Sequence, residues 1–442
     1  MRPGRAPSKA SHMFQPPYMR SSTEWKWFGA LLVALILNPL AGASNKLYVD
    51  GVNGNDQNDC RSPHYACKTI GHAISLAASG DDILVGPATY NENLTIQSVS
   101  GNFFSLAIIG SGASTTIIDG QQSATVLILP DSTTHIVLSG LTIRNGATRI
   151  NCGAGIFNNG FASISDSIIS DNQDDELSGS SYGSGLCNYG TLTLNRSTVT
   201  ANVIRGYFST GCGIFNLGTM TINDSTISDN VSTSTDSSGA GIYNAGMLVV
   251  NRSTISGNSL SGFADGGGIA NGSIAFVNNS TISGNNADAY GDGGGIDNEF
   301  GTIMISNVTL EGNLAGRGSA ILNASGAAVI LQNTIATSDI ATTCFGSVTS
   351  DGYNLSSDSS CNLNGPGDLN NADPKLGALR DNGGPTQTMS LLEGSPAIDA
   401  GNPGGCADGQ GNLLKTDQRG APRPDKEDTG GCDMGAYERQ SD

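Results

Sequence analysis

GIYNAGMLVVNRSTISGN, residues Gly241 to Asn258, holds three short β segments separated by Asn and Gly, and it recurs. Its first Asn returns as Asn158, Asn188, Asn216, Asn244, Asn271, Asn298 and Asn323, in steps of 30, 28, 28, 27, 27 and 25 residues. Its second Asn returns as Asn172, Asn202, Asn230, Asn258, Asn285 and Asn313 with nearly the same steps. A fixed period this short means a stacked repeat array. Apolar and small polar residues alternate, as in Thr219-Met220-Thr221-Ile222, which is the period-2 signature of half-buried strands. Propeller blades need about 40 residues, and the L-x-x-L-x-L pattern of leucine-rich repeats is absent.

The expectation is an all-β, right-handed, single-stranded parallel β-helix with three strands per rung of 27–30 residues, loops included. Handedness follows from the preference of parallel crossovers. Stacked rungs predict an inward row of Ile156, Leu186, Ile214, Ile242, Ile269, Ile296 and Ile321. A second inward row runs Ile169, Val199, Ile227, Ile255, Ile282, Leu310 and Ile335. The Asn columns belong at turns, where stacked amides bond to one another. The residue before each S-T-I-S runs Asp166, Arg196, Asp224, Arg252, Asn279, an alternating-sign surface ladder.

Working outward, residues 1–43 read as an N-terminal extension and signal peptide. Arg20 and Lys26 precede the apolar run Phe28 to Leu37, and Ala41-Gly42-Ala43 offers a cleavage site. Met19 suits as its start. No other segment is apolar and long enough to span a membrane. Residues 44–80 read as a cap in which Ile70, Ala73, Ile74 and Ala77 fall at helical spacing, so that the helix covers the open end of the first rung. The β-helix is expected over 81–345, with an irregular C-terminal cap over 346–442.

The formal charge of −18 argues against nucleic acid and, more mildly, against acidic polysaccharides. Nine cysteines fit an oxidising, extracellular setting. Proximity along the chain suggests Cys60 with Cys67, Cys344 with Cys361 and Cys406 with Cys432. Cys152, Cys187 and Cys212 remain, and an odd total leaves at least one unpaired within the chain.

Three parts of the chain resemble known families. Tyr48-Val49-Asp50, Cys67-Lys68-Thr69-Ile70 and Gly80-Asp81-Asp82-Ile83-Leu84-Val85 resemble the start of bacterial right-handed parallel β-helix proteins. The Gly-Gly-Gly-Ile blocks at 266–269 and 293–296 resemble polymorphic outer-membrane protein repeats. The tail is the most specific part. Asp381-Asn382-Gly383-Gly384-Pro385-Thr386, Gly394-Ser395-Pro396-Ala397-Ile398-Asp399-Ala400-Gly401 and Cys432-Asp433-Met434-Gly435-Ala436-Tyr437-Glu438 resemble the "choice-of-anchor" Q domain. The resemblance implies an exported bacterial β-helix that is often followed by a surface-sorting anchor. This sequence ends four residues past Glu438, which gives weight to free secretion.

No catalytic set stands out. Enzymes on this fold need paired carboxylates, or a basic residue with calcium-binding acids. The G-H-G, R-I-K and R-x-P-x-x-R patterns are absent. The candidate cluster lies in the long connections after each S-x-N. Asp265 and Asp292 occupy equivalent D-G-G-G-I positions and should stack, with Asp297 just beyond, a calcium candidate set weighed against solvated turns. Tyr182, Arg205, Tyr207, Phe208 and Tyr290 on the same connections are the candidate sugar contacts. No cofactor other than calcium is suggested. A second candidate surface is the flat outward array Thr198/Thr200, Thr226/Ser228, Thr254/Ser256 and Thr281/Ser283, which resembles ice-binding faces. The leading expectation is a non-enzymatic extracellular or cell-surface protein for adhesion or for binding polysaccharide or surface glycan. The alternatives are a polysaccharide lyase or glycoside hydrolase with its cleft at the acidic loops, or ice binding.

Overall fold

The computed structural model describes residues 45–98, 101–148, 152–175, 179–338, 341–426 and 431–440. The chain divides into residues 1–43 and 44–442, and the second unit holds every described residue. The expected signal segment lies outside the described residues.

Successive rungs build three parallel sheets, two of 12 strands and one of 10. The result is a right-handed parallel β-helix of about nine turns with almost no helix. The G-I-x-N motifs form the 10-stranded sheet, in which Asn158 pairs in register with Asn188, and Asn216 with Asn244. The alternating runs such as Thr219–Asn223 form the second sheet. The S-T-I-S motifs form the third. Both predicted inward rows are fully buried from end to end.

The sharp bends between sheets explain the motif's small polar residues. The residue before each S-T-I-S, from Asp166 to Asn333, takes a φ between 43° and 56°. A second bend holds Asn145, Asp171, Ala201 and Asp229, then Gly257, Gly284 and Gly312, all left-handed. Asn, Asp and Gly tolerate that conformation best. The predicted surface ladder is present at the first bend. Arg196 grips Asp166 and Arg252 grips Asp224, each through two nitrogens at 2.7–2.8 Å.

The expected helix forms as Ile70–Leu76, shorter than its periodicity suggested, because its C-cap Ala77 is already extended. Thr69 caps it, Glu92 accepts from the Ile70 and Gly71 amides, and Ile70 and Ala73 pack into the first rung. The three suggested disulfides form, and Cys152 joins Cys187. Cys212 is a buried free thiol.

Two features were not legible. The long connections are not plain loops. From Ala147 to Asp265 they carry two further parallel ladders of five and four short strands, which form an arm beside the G-I-x-N sheet. The arm has its own small core of Ile204, Cys212, Ala240, Leu260 and Ala264. The C-terminal region, in turn, does more than close the last rung. It folds back along the S-T-I-S sheet, where Thr254 donates to the Gln387 carbonyl at 2.6 Å and Thr281 to Gln418 Oε1 at 2.7 Å. Thr309 accepts from the Ala436 amide at 3.1 Å.

Candidate functional site

The arm meets the outer face of the G-I-x-N sheet in a crease. The sheet side is the middle residue of each I-x-N strand: Phe157, Cys187, Phe215, Tyr243, Ala270, Asp297 and Leu322, aligned rung by rung. The arm side is the aligned column Tyr182, Thr210, Ser238, Asp265, Asp292 and Arg317. Strand alternation turns the middle residue away from the core, because its Ile neighbour points inward. The chain returns from arm to sheet through left-handed glycines. A side-chain carbon on Gly293, at φ 61°, would meet Asp297 Cα and Cβ at 2.7 Å, so only Gly lets the arm lie this close.

The first half of the crease is aromatic. Phe157 contacts Tyr189 with ring centroids 5.7 Å apart, and Tyr182 packs on Phe215 at 4.9 Å. Phe215 stacks on Tyr243 at 5.5 Å with an interplanar angle of 13°. The Cys152–Cys187 disulfide joins this cluster and ties its first two rungs. Tyr189 remains 45% exposed, so the file has an open face. Tyr243 extends over the small residues of the next rung, since a carbon added to Gly272 would find its hydroxyl at 3.8 Å. Burial above all, and then Glu299, push the Tyr243 phenol up to about 12.

The second half is acidic. Asp265 and Asp292 stack through a parallel bridge, as their shared motif position implies. Asp297 stands across the crease, with Glu299 two residues on. Two of these acids, Asp292 and Asp297, are not solvated turns, while Asp265 and Glu299 are partly exposed. Asp297 is 3% exposed and Asp292 8%. The arm covers them, and a loop reading could not foresee the arm. Asp292 is gripped by Arg317 through two nitrogens, one of them Nε at 2.8 Å. The Arg317 guanidinium also lies 4.7 Å from the Phe345 ring centroid. Asp297 Oδ1 is buried with no hydrogen-bond partner. Burial, followed by the charges of Asp265, Glu299 and Asp292, holds the Asp297 carboxyl well above the ordinary carboxylate range, and Arg317 opposes them weakly.

As a calcium cage the set is incomplete. Among the described residues, only Cys60, Cys67 and His72 bring three such ligand atoms within 4.8 Å of one another, and those two cysteines form a disulfide. Asp265, Asp292 and Asp297 therefore do not converge that closely.

The five candidate sugar contacts separate. Tyr182 lies in the crease against Phe215. Tyr207 and Phe208 form an edge-to-face pair at 4.6 Å, 53% and 37% exposed. Arg205 faces Asp175 at 3.4 Å. Tyr290 is 77% exposed on the loop leading to Asp292. Sequence reasoning missed Phe215, Tyr243 and Arg317. Their signal was the x of I-x-N, whose column lines one face, and the step of 25 residues that puts Arg317 in register with Asp292. The Thr/Ser array is interrupted. Thr254, Thr281 and Ser283 are buried by the C-terminal region, so the flat face an ice surface would need ends at Thr226/Ser228.

No family model matches the chain, and no curated protein does. Among solved structures, the complex of XylC with xylose is similar, with 12% identity and a TM-score of 0.50 over 89% of this chain and 98% of that one. The pectate lyase Pel9A has 13% identity and a TM-score of 0.47 over 90% and 98% of the two chains. At 12% identity the likeness to the XylC complex is one of fold alone.

Proposed function

We propose that the protein is an extracellular glycan-binding β-helix whose binding face is the crease. The aromatic file Phe157, Tyr189, Phe215, Tyr182 and Tyr243 carries this reading. Rungs repeat at about 4.8 Å, so two rungs span roughly one to two sugar rings, and rings along an open file suit a chain of sugars. Sugar-ring C–H faces stack on the exposed Tyr189 ring, which the buried rings behind it hold in place, while the acids at the far end accept from hydroxyls. The extracellular setting is supported by four disulfides and by the signal-like N-terminus. The resemblance of the tail to a choice-of-anchor domain also supports it. The test is a glycan array followed by titration of any hit. Tyr189→Ala and Tyr182→Ala should each weaken binding by about 1 kcal/mol, roughly fivefold. Binding unaffected by both substitutions would place the glycan elsewhere.

One observation favours hydrolysis as a second reading. A carboxyl that holds its proton more tightly than an ordinary one, through burial and neighbouring carboxyl groups, is what a glycosidase general acid requires, and Asp297 has that environment. Release of reducing ends from a bound polysaccharide, lost in Asp297→Asn while binding persists, would establish it.

A further inference from the structure

We infer that the outer face of the sheet built from the alternating runs pairs with the same face of a second copy of this chain, in a two-fold symmetric, face-to-face dimer. The inference stands apart from the glycan-binding reading and rests on a different surface.

Of the three faces of the β-helix, the arm borders one and the C-terminal region folds along another. The third is the outer face of the alternating runs. Nine neighbouring strands there, from Phe104–Gly110 to Ala328–Gln332, contain no Asp, Glu, Lys or Arg. Their one titratable side chain is His135, and burial lowers its affinity for a proton. The outward positions hold Thr and Ser in the middle, as at Thr193 and Thr221, and apolar residues toward both ends. At the N-terminal end Phe103, Ile109, Val137 and Phe161 are 36–60% exposed. His135 joins two of them, stacked on Phe161 at 4.2 Å and tilted to Phe103 at 4.6 Å. Further along, Met247, Val249, Ile274 and Ile330 stay partly exposed. The tail reaches this face at its rim, where the Gly409 amide donates to Asn278 at 2.8 Å and a carbon on Gly409 would meet Met304 Cβ at 3.2 Å.

Size and charge argue for a second copy as the occupant. Nine strands at about 4.8 Å and five residues at about 3.3 Å make a face of roughly 40 by 15 Å, on the order of 600 Å². Specific interfaces bury roughly 600–800 Å² per partner, so one such face suffices for a dimer. The net charge of −18 opposes self-association wherever acids face acids. On a charge-free face two copies meet without that repulsion and without stripping water from ions. The face is also self-complementary, because a two-fold axis across its centre lays apolar ends on apolar ends and the small polar middle on itself. The crease lies on another sheet, so pairing leaves it open in both copies.

The experiment is sedimentation of the full chain from about 1 to 100 µM at roughly 0.02 and 0.5 M salt. The expected result is a monomer–dimer equilibrium that salt strengthens, because salt screens repulsion between the acidic copies and the face has no ion pairs to weaken. Thr221 is the middle residue of the central strand, so a two-fold pairing centred on this face sets it beside its own copy. Thr221→Lys should weaken the dimer by about tenfold or more at an unchanged melting temperature, while Thr221→Val keeps it. Packed sheets lie about 10 Å apart, so a short bis-maleimide should join two copies of Thr221→Cys and leave the parent unjoined. Val137→Lys, at a residue 46% exposed, repeats the charge test if Thr221→Lys unfolds. A monomer at every concentration and both salts would overturn the inference. A dimer that survives the lysine variants, or that the maleimide does not join through Thr221→Cys, would place the contact elsewhere and overturn it as well. A monomer whose binding of a glycan is lost in Thr221→Lys would give the face to the glycan instead. Loss of the glycan-binding reading leaves the dimer and its test untouched.

Discussion

Asn158 donates from its side-chain nitrogen to the side-chain oxygen of Asn188, one rung away, at 2.7 Å. The same bond is repeated from Asn188 through Asn216, Asn244, Asn271 and Asn298 to Asn323 at 2.8–2.9 Å. A second ladder runs from Asn172 to Asn313 on the far side of the arm connection. All but the last residue of each ladder are 1% exposed or less. Removing an internal amide strands a buried donor on one side and an acceptor on the other. Asn216→Ala should therefore cost about 1–3 kcal/mol, and the terminal Asn323→Ala should cost less. Chemical denaturation of the two variants checks the order; an equal, negligible loss would mean the ladder is not a source of stability.

The inward rows make a stronger claim. Ile227 and Ile255 are fully buried in a core only a few side chains wide. Ile227→Asp should cost several kcal/mol, because the charge has neither water nor a partner there. The melting temperature is the measurement, and an unchanged value would contradict the burial of Ile227 in the core.

Both expectations rest on what the sequence shows best. Strand stacking is enforced by backbone bonds at a fixed spacing, so any residue repeated in register forms a column, and Ile156 or Asn158 can be placed from the repeat alone. The crease was harder to read. Its arm is built from two- and three-residue strands such as Val231–Ser232, too short to show a period. Tyr243 and Phe215 occupy the variable x of I-x-N, so the repeat places them in one column but does not fix what residue stands there. The return of the tail across Thr254 and Thr281 involves partners more than 130 positions away. No local pattern encodes such a contact.

That returning tail is fastened by Arg423 and Glu438, a pair at 2.6 Å with both side chains fully buried. Arg423 also donates to Asn279 on the β-helix at 3.0 Å. The two partners should not be equivalent under mutation. Burial pushes the Glu438 carboxyl up to about 8, so without Arg423 it can take a proton and become neutral. Arg423 has no such escape, because guanidinium does not deprotonate in proteins. Glu438→Ala, which removes the acceptor altogether, should then cost about 3–5 kcal/mol, the usual penalty for stranding a buried charge. Arg423→Met should cost less at pH 6. Urea unfolding at that pH decides it, and the reverse order would show that the carboxylate is the charge that needs its partner.

Asp297 predicts a pH dependence of known sign. Its folded-state affinity for a proton exceeds that of an ordinary carboxyl at 3.8, so the folded protein holds a proton that the unfolded chain releases. Stability from this group is fully present below pH 3.8 and declines as pH rises from there toward the raised value. The difference in melting temperature between the parent and Asp297→Asn should widen with rising pH across that window, in favour of Asn. A difference that stays flat would show the carboxyl to be ionised in the fold.

Calcium should find no place in the parent crease. Asp265 and Asp292 stack, with Asp297 across the crease, which is what suggested a metal, but Arg317 already grips Asp292 through both its oxygens. A calcium ion needs about six or more oxygens at roughly 2.3–2.6 Å, and it would have to displace that guanidinium and deprotonate Asp297. Millimolar calcium should therefore leave the melting temperature unchanged. Arg317→Gln removes the competitor and frees the Asp292 carboxylate, so the same concentration of calcium should raise the melting temperature of that variant by mass action. A calcium-induced rise in the parent, abolished by Asp292→Ala, would instead make the crease a metal site with Arg317 a displaceable occupant.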